Sequence, residues 1–128
     1  MKLLLDTHTF LWFVLNDPSL SPIARDLIID SLNEICLSPA THWEIAIKIS
    51  IGKYQLPGPF ESWINTQIQT NDVQILPIEV AHTALVTTLP FHHKDPFDRL
   101  LISQSLVEKV SIISIDGIFD SYGVSRLW

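Results

Sequence analysis

The chain has 128 residues, enough for one domain with its own core. Eight basic and fourteen acidic residues leave a net charge of −6, which excludes diffuse attraction as the way this protein meets a nucleic acid. No apolar stretch approaches the ~18 residues of a membrane span, and one cysteine, Cys36, allows no internal disulfide and suits a reducing, cytoplasmic setting.

The first run, Lys2 to Leu5, is apolar and stops at Asp6, too soon for a signal peptide. A short run without alternation reads as a strand buried on both faces. Phe10 to Leu15 reads as a short helix ending near Asn16-Asp17-Pro18. Ser21-Pro22, Ser38-Pro39 and Asp95-Pro96 each place a capping side chain before a proline at the first helical position. They predict helices over 23–31, over 39–51 with Gly52 closing it, and over 96–108. Between these come a strand over 34–37, a loop at Leu56-Pro57-Gly58-Pro59, a helix over 60–70, a strand over 73–76 and a helix over 78–87. A His-bearing connection spans 89–94, a β-branched strand spans 110–115, and 124–128 forms a last short strand. Alternating strands and helices predict a parallel sheet with helices on both faces, in one domain over 1–128.

Four acids draw chemical attention. Asp6 and Asp116 each close an apolar run, at the carboxyl edge of the predicted sheet where open α/β folds bind ligands. The ordinary alternative for either is an N-cap. Glu44 sits in Thr41-His42-Trp43-Glu44-Ile45-Ala46-Ile47-Lys48, on a helix expected to be largely buried; its ordinary role is an ion pair with Lys48 one turn on. Asp98 falls in the first turn after the cap Asp95, where a capping box is the alternative. Two unit charges ~6 Å apart at an effective dielectric near 20 repel by about 2–3 kcal/mol. Carboxylates gathered on one edge therefore call for a cation, and hard oxygen donors favour Mg²⁺ or Mn²⁺.

These segments carry a resemblance. Leu4-Leu5-Asp6-Thr7-His8, Ser38 to Lys48, Asp95-Pro96-Phe97-Asp98-Arg99-Leu100-Leu101-Ile102 and Ser114-Ile115-Asp116 resemble, in order and spacing, the PIN-domain nucleases, and within them the VapC-type toxins of toxin–antitoxin pairs. The resemblance implies a three-layer α/β/α domain with a five-stranded parallel sheet. It implies a Mg²⁺- or Mn²⁺-dependent endoribonuclease that hydrolyses RNA phosphodiester bonds with a metal-activated water. Asp6, Glu44, Asp98 and Asp116 would be both the metal ligands and the catalytic acids. Thr7 and Ser114 would be hydroxyls that orient carboxylates or metal waters. Arg99 and Lys48 are candidates to neutralise substrate phosphate, with a salt bridge as the alternative for each. A homodimer and an antitoxin covering the site are also implied. The rich apolar content, 47% with four Trp, fits such partners or simply a well-filled core.

Competing readings are weaker. His42, His82, His92 and His93 match no zinc spacing and read as surface or connection residues. A haloacid-dehalogenase-like phosphatase needs Asp two residues after its nucleophile, where this chain has His8. A catalytically inactive PIN-like binding module is the non-enzymatic alternative, and the intact acid set speaks against it.

Overall fold

The computed structural model describes all 128 residues. Strands β1 (Lys2–Leu5), β2 (Glu34–Leu37), β3 (Gln74–Ile75), β4 (Ser111–Ile113) and β5 (Arg126–Leu127) form one five-stranded sheet in the order β3-β2-β1-β4-β5. Every pairing is parallel, with Leu5 opposite Leu37 on one side and opposite Ile113 on the other. Leu3, Leu4 and Leu5 are fully buried because β1 is the central strand.

The pleat sends alternate side chains to opposite faces. Leu3, Leu5, Ile35, Leu37 and Ile113 pack with Phe10 of α1 (Thr7–Val14), Ala24 of α2 (Pro22–Ile29) and Ile64 of α4 (Phe60–Thr70). Leu4, Cys36 and Ile112 pack on the other face with Leu101 and Ile102 of α6 (Pro96–Glu108), which lies beside α5 (Val80–Val86). α3 (Pro39–Ser50) gives Ile45 to the first core and Ala40 to the second. The fold is thus a three-layer α/β/α arrangement around a parallel sheet.

The expected caps are in place. Ser21 Oγ accepts from the Ala24 amide, Ser38 Oγ from Ala40, and Asp95 Oδ1 from Phe97 and Asp98. Gly52, at φ +78°, carries the chain out of α3 in the left-handed region that favours glycine.

Several boundaries move. α1 starts at Thr7 rather than Phe10, because Asp6 caps it directly. The fourth strand ends at Ile113, so Ser114 and Ile115 lie outside it and Asp116 is not placed like Asp6. Gly117–Tyr122 forms a 3₁₀ helix capped by Asp116 and anchored by buried Phe119, an element the sequence reading lacks. Only one face of α3 is buried: Glu44 and Ile45 are inside, while Trp43 is 61% exposed.

Candidate active site

The chain leaves β1 for β2 on one side and later crosses to β4 on the other. The strand order therefore reverses beside β1, and the carboxyl edge there is the crevice where such sheets hold ligands. Asp6 follows β1 directly. Its amide donates to Ile113 O at 3.3 Å, and its Oδ1 accepts from the Thr9 amide at 2.8 Å. Thr9 Oγ1 in turn donates to Ile113 O at 2.9 Å, tying the start of α1 to β4. Asp6 is thus an N-cap, and it is buried at the sheet edge.

Glu44 is 4% exposed although it is a carboxylate in a helix interior. Its Oε1 accepts from Thr7 Oγ1 at 2.6 Å and its Oε2 from Lys48 Nζ at 3.0 Å. The Thr41 hydroxyl lies 3.4 Å from that of Thr7. Burial works against the Lys48 ammonium, but the Glu44 hydrogen bond and charge, with Tyr54, outweigh it and hold its pKa above the usual value. Lys48 therefore stays charged and takes the salt-bridge role.

Asp98 projects from the first turn of α6, and its side chain does not return to the Asp95 amide. That amide donates to His93 Nδ1 instead, so no capping box forms. Burial first, then the charges of Asp95, Asp6, Glu44 and Asp116, push the Asp98 carboxyl up to about 8. The other three expected acids thus lie close enough to act on Asp98. Asp116 caps the 3₁₀ helix through Oδ1 to the Ile118 amide, and its Oδ2 lies 2.9 Å from His93 Nε2. Ser114 Oγ accepts from the Asp116 amide at 3.0 Å, holding the turn that carries the acid.

Two expectations about basic and His residues need correction. Arg99 faces no carboxylate and no open surface. Its guanidinium, 5% exposed, donates to the carbonyls of Val86, Leu89, Pro90 and His93 and to the Tyr122 hydroxyl, with the Phe91 ring 4.1 Å away. It shapes the 89–94 connection instead of meeting substrate or forming a salt bridge. His93 is no mere connection residue: it stands between Asp98 and Asp116. The available signal was its place two residues before the cap of the helix that bears Asp98. His82 is fully buried on α5, with Nδ1 accepting from the Glu79 amide and Nε2 bound to Glu108 at 2.7 Å, away from the acids.

Trp43 and Phe97, the immediate neighbours of Glu44 and Asp98, meet edge to face at 5.4 Å. Trp43 also borders an apolar groove of about 340 Å³ with His42, Ala46, Phe60 and Ile78.

The PIN domain family model matches residues 3–124. This chain belongs to the PIN-domain family. Over 60 residues, 47% of this PIN domain, it is 37% identical to Ribonuclease VapC16 of Mycobacterium tuberculosis (strain ATCC 25618 / H37Rv), spanning 43% of that relative's length. Among solved structures it is similar to VapBC2 from Rickettsia felis bound to a DNA fragment from their promoter, with TM-score 0.70 and 14% identity over 99% of this chain and 98% of that one. It is also similar to FitAB bound to IR36 DNA fragment, with TM-score 0.67 and 17% identity over 98% of this chain and 93% of that one. FitAcB from Neisseria gonorrhoeae matches with TM-score 0.66 and 16% identity over 98% of this chain and 96% of that one. At such identities these likenesses concern the fold. No helix of this PIN domain is long and apolar enough to cross a membrane.

Proposed function

We propose that residues 1–128 act as one divalent-metal-dependent endoribonuclease domain, the toxin of a toxin–antitoxin pair. One observation carries the reading: Asp98 is pushed up to about 8 by burial and by the carboxylates around it. A carboxyl that resists ionisation among other acids is one whose charged form a bound cation stabilises. The fit is chemical as well, since Asp6, Glu44, Asp98 and Asp116 offer only hard oxygen donors. These residues would hold Mg²⁺ or Mn²⁺. When bound, such an ion neutralises phosphate charge and acidifies the water that attacks phosphorus.

The remaining work falls to the chain itself. Thr7 and Lys48 hold both oxygens of Glu44, fixing its carboxylate before any ligand arrives. Asp6 and Asp116 each give Oδ1 to a cap, and the second oxygen of Asp116 meets His93 Nε2 at 2.9 Å. The exposed face of Trp43 beside Glu44 suits a stacked base of single-stranded RNA, a contact that needs no positive field in a chain of net charge −6. The ribonuclease name of the Mycobacterium relative and the likeness to VapBC2 support RNA as substrate and an antitoxin as partner. A homodimer and a cytoplasmic setting complete the reading, with the exposed apolar groove as partner surface.

The test is cleavage of total RNA by the purified, partner-free protein in Mg²⁺, Mn²⁺ or EDTA. Cleavage should need metal and vanish in Asp6→Asn and Asp98→Asn. Equal inertness of wild type and both variants toward total RNA and single-stranded oligonucleotides would favour a binding module instead.

A further inference from the structure

We propose that His93 is a positioning residue of the metal site, a fixed N–H donor that gathers Asp98 and Asp116 and is not itself a ligand. The inference rests on the metal-dependent reading above. His93, Asp98 and Asp116 bring ligand atoms within 4.8 Å of one another. By residue type alone, that grouping reads as a mixed nitrogen–oxygen metal centre.

The hydrogen bonds decide differently. His93 Nδ1 accepts from the Asp95 amide at 3.1 Å. A ring nitrogen that accepts a hydrogen bond carries no proton, and in neutral imidazole the proton then sits on the other nitrogen. Nε2–H therefore points at the carboxylates, 2.9 Å from Asp116 Oδ2 and 3.1 Å from Asp98 Oδ2. To bind a metal through Nε2, the ring would have to move its proton to Nδ1. That would set two N–H groups face to face.

Neither partner has room to turn away. Asp95 is the N-cap of α6, with its carboxylate on the Phe97 and Asp98 amides and Pro96 next in the chain. The His93 amide donates to the Tyr122 hydroxyl at 2.7 Å, and the His93 carbonyl accepts from Arg99. The ring packs edge-on against buried Phe119 at 5.8 Å, and its side chain is 13% exposed. One imidazole thus links the cap of α6 to the turn after β4. Its single Nε2–H bonds Asp116 Oδ2 and holds Asp98 Oδ2 within 3.1 Å, so one ring keeps the two carboxylates together.

The prediction is specific. Partners that orient ligating groups are typically worth 10–100-fold in metal affinity. Mn²⁺ affinity, read by electron paramagnetic resonance, should fall about 10-fold or more in His93→Ala. His93→Gln, which keeps an N–H donor at similar reach, should recover most of it, and the Mn²⁺-to-Mg²⁺ preference should not change. Thermal unfolding checks that both variants are folded. In wild type, long-range ¹H–¹⁵N correlation should show the His93 ring protonated at Nε2 and unprotonated at Nδ1, with and without Mg²⁺. A ring protonated at Nδ1, or Mn²⁺ binding unchanged in His93→Ala, overturns the proposal. So does a folded His93→Gln that binds no better than His93→Ala. Wild type that binds Mn²⁺ no better than Asp6→Asn overturns the metal reading itself, and this inference with it.

Discussion

The Thr7 hydroxyl donates to Glu44 at 2.6 Å across 37 residues of sequence, joining the first turn of α1 to the interior of α3. A buried carboxylate deprived of a donor loses more than an average hydrogen bond. Thr7→Val should therefore cost about 1.5–3 kcal/mol in stability. Thr7→Ser should cost much less, because the hydroxyl survives. Thermal or urea unfolding of the two variants checks this.

Asp98 predicts how stability follows pH. An acid whose pKa is raised in the folded state binds its proton more tightly there than in the unfolded chain, so stability falls as pH rises between the two values. For Asp98 that window runs from the ordinary carboxyl value of 3.8 to about 8. In EDTA, wild type should melt at steadily lower temperature across this range, because the unfolded chain gives up the Asp98 proton while the fold, with Asp95, Asp6, Glu44 and Asp116 near it, must keep it. Asp98→Asn should flatten the trend and be the more stable protein at pH 8, by about 1–3 kcal/mol. Mg²⁺ at pH 8 should raise the melting temperature of wild type well above any rise in Asp98→Asn.

Arg99 predicts a non-conservative lysine. Its guanidinium reaches the carbonyls of Val86, Leu89, Pro90 and His93 from one buried point. An ammonium has neither the planar fork nor that reach. Arg99→Lys should destabilise by about 2–4 kcal/mol, close to Arg99→Ala, because most of the carbonyls lose their donor in both. Equal stability of Arg99→Lys and wild type would show that the connection holds itself.

Trp43 predicts a separation of binding from chemistry. The residue is 61% exposed and belongs to neither hydrophobic core. On a single-stranded RNA substrate, Trp43→Ala should raise KM about 5–30-fold, the equivalent of about 1–2 kcal/mol of base stacking, with little change in kcat. A fall in kcat at constant KM would place Trp43 in the support of Glu44 instead.

Much of this architecture is legible in the chain because local signals and packing agree. The unbroken Leu3-Leu4-Leu5 run announces a central strand, and Ser21-Pro22, Ser38-Pro39 and Asp95-Pro96 announce helix starts that the structure keeps. What stays hidden depends on distant partners. The 3₁₀ helix at Gly117–Tyr122 forms around Phe119 burial and an Asp116 cap, neither of which has a periodic signature. Arg99, next to an acid on a helix, looks like half of an ion pair until the connection folds back over it. His93 looks idle by zinc spacing, since its role comes from the Asp95 amide on one side and Asp116 on the other.

β1 is made first and sits in the middle of the sheet, and its second neighbour, β4, is made more than a hundred residues later, the span of the Thr9–Ile113 bond. Contacts of such separation close late. Asp116, carried in the turn after β4, therefore joins Asp6, Glu44 and Asp98 only when the central pairing of the sheet is made, so completion of the acid group reports completion of the sheet.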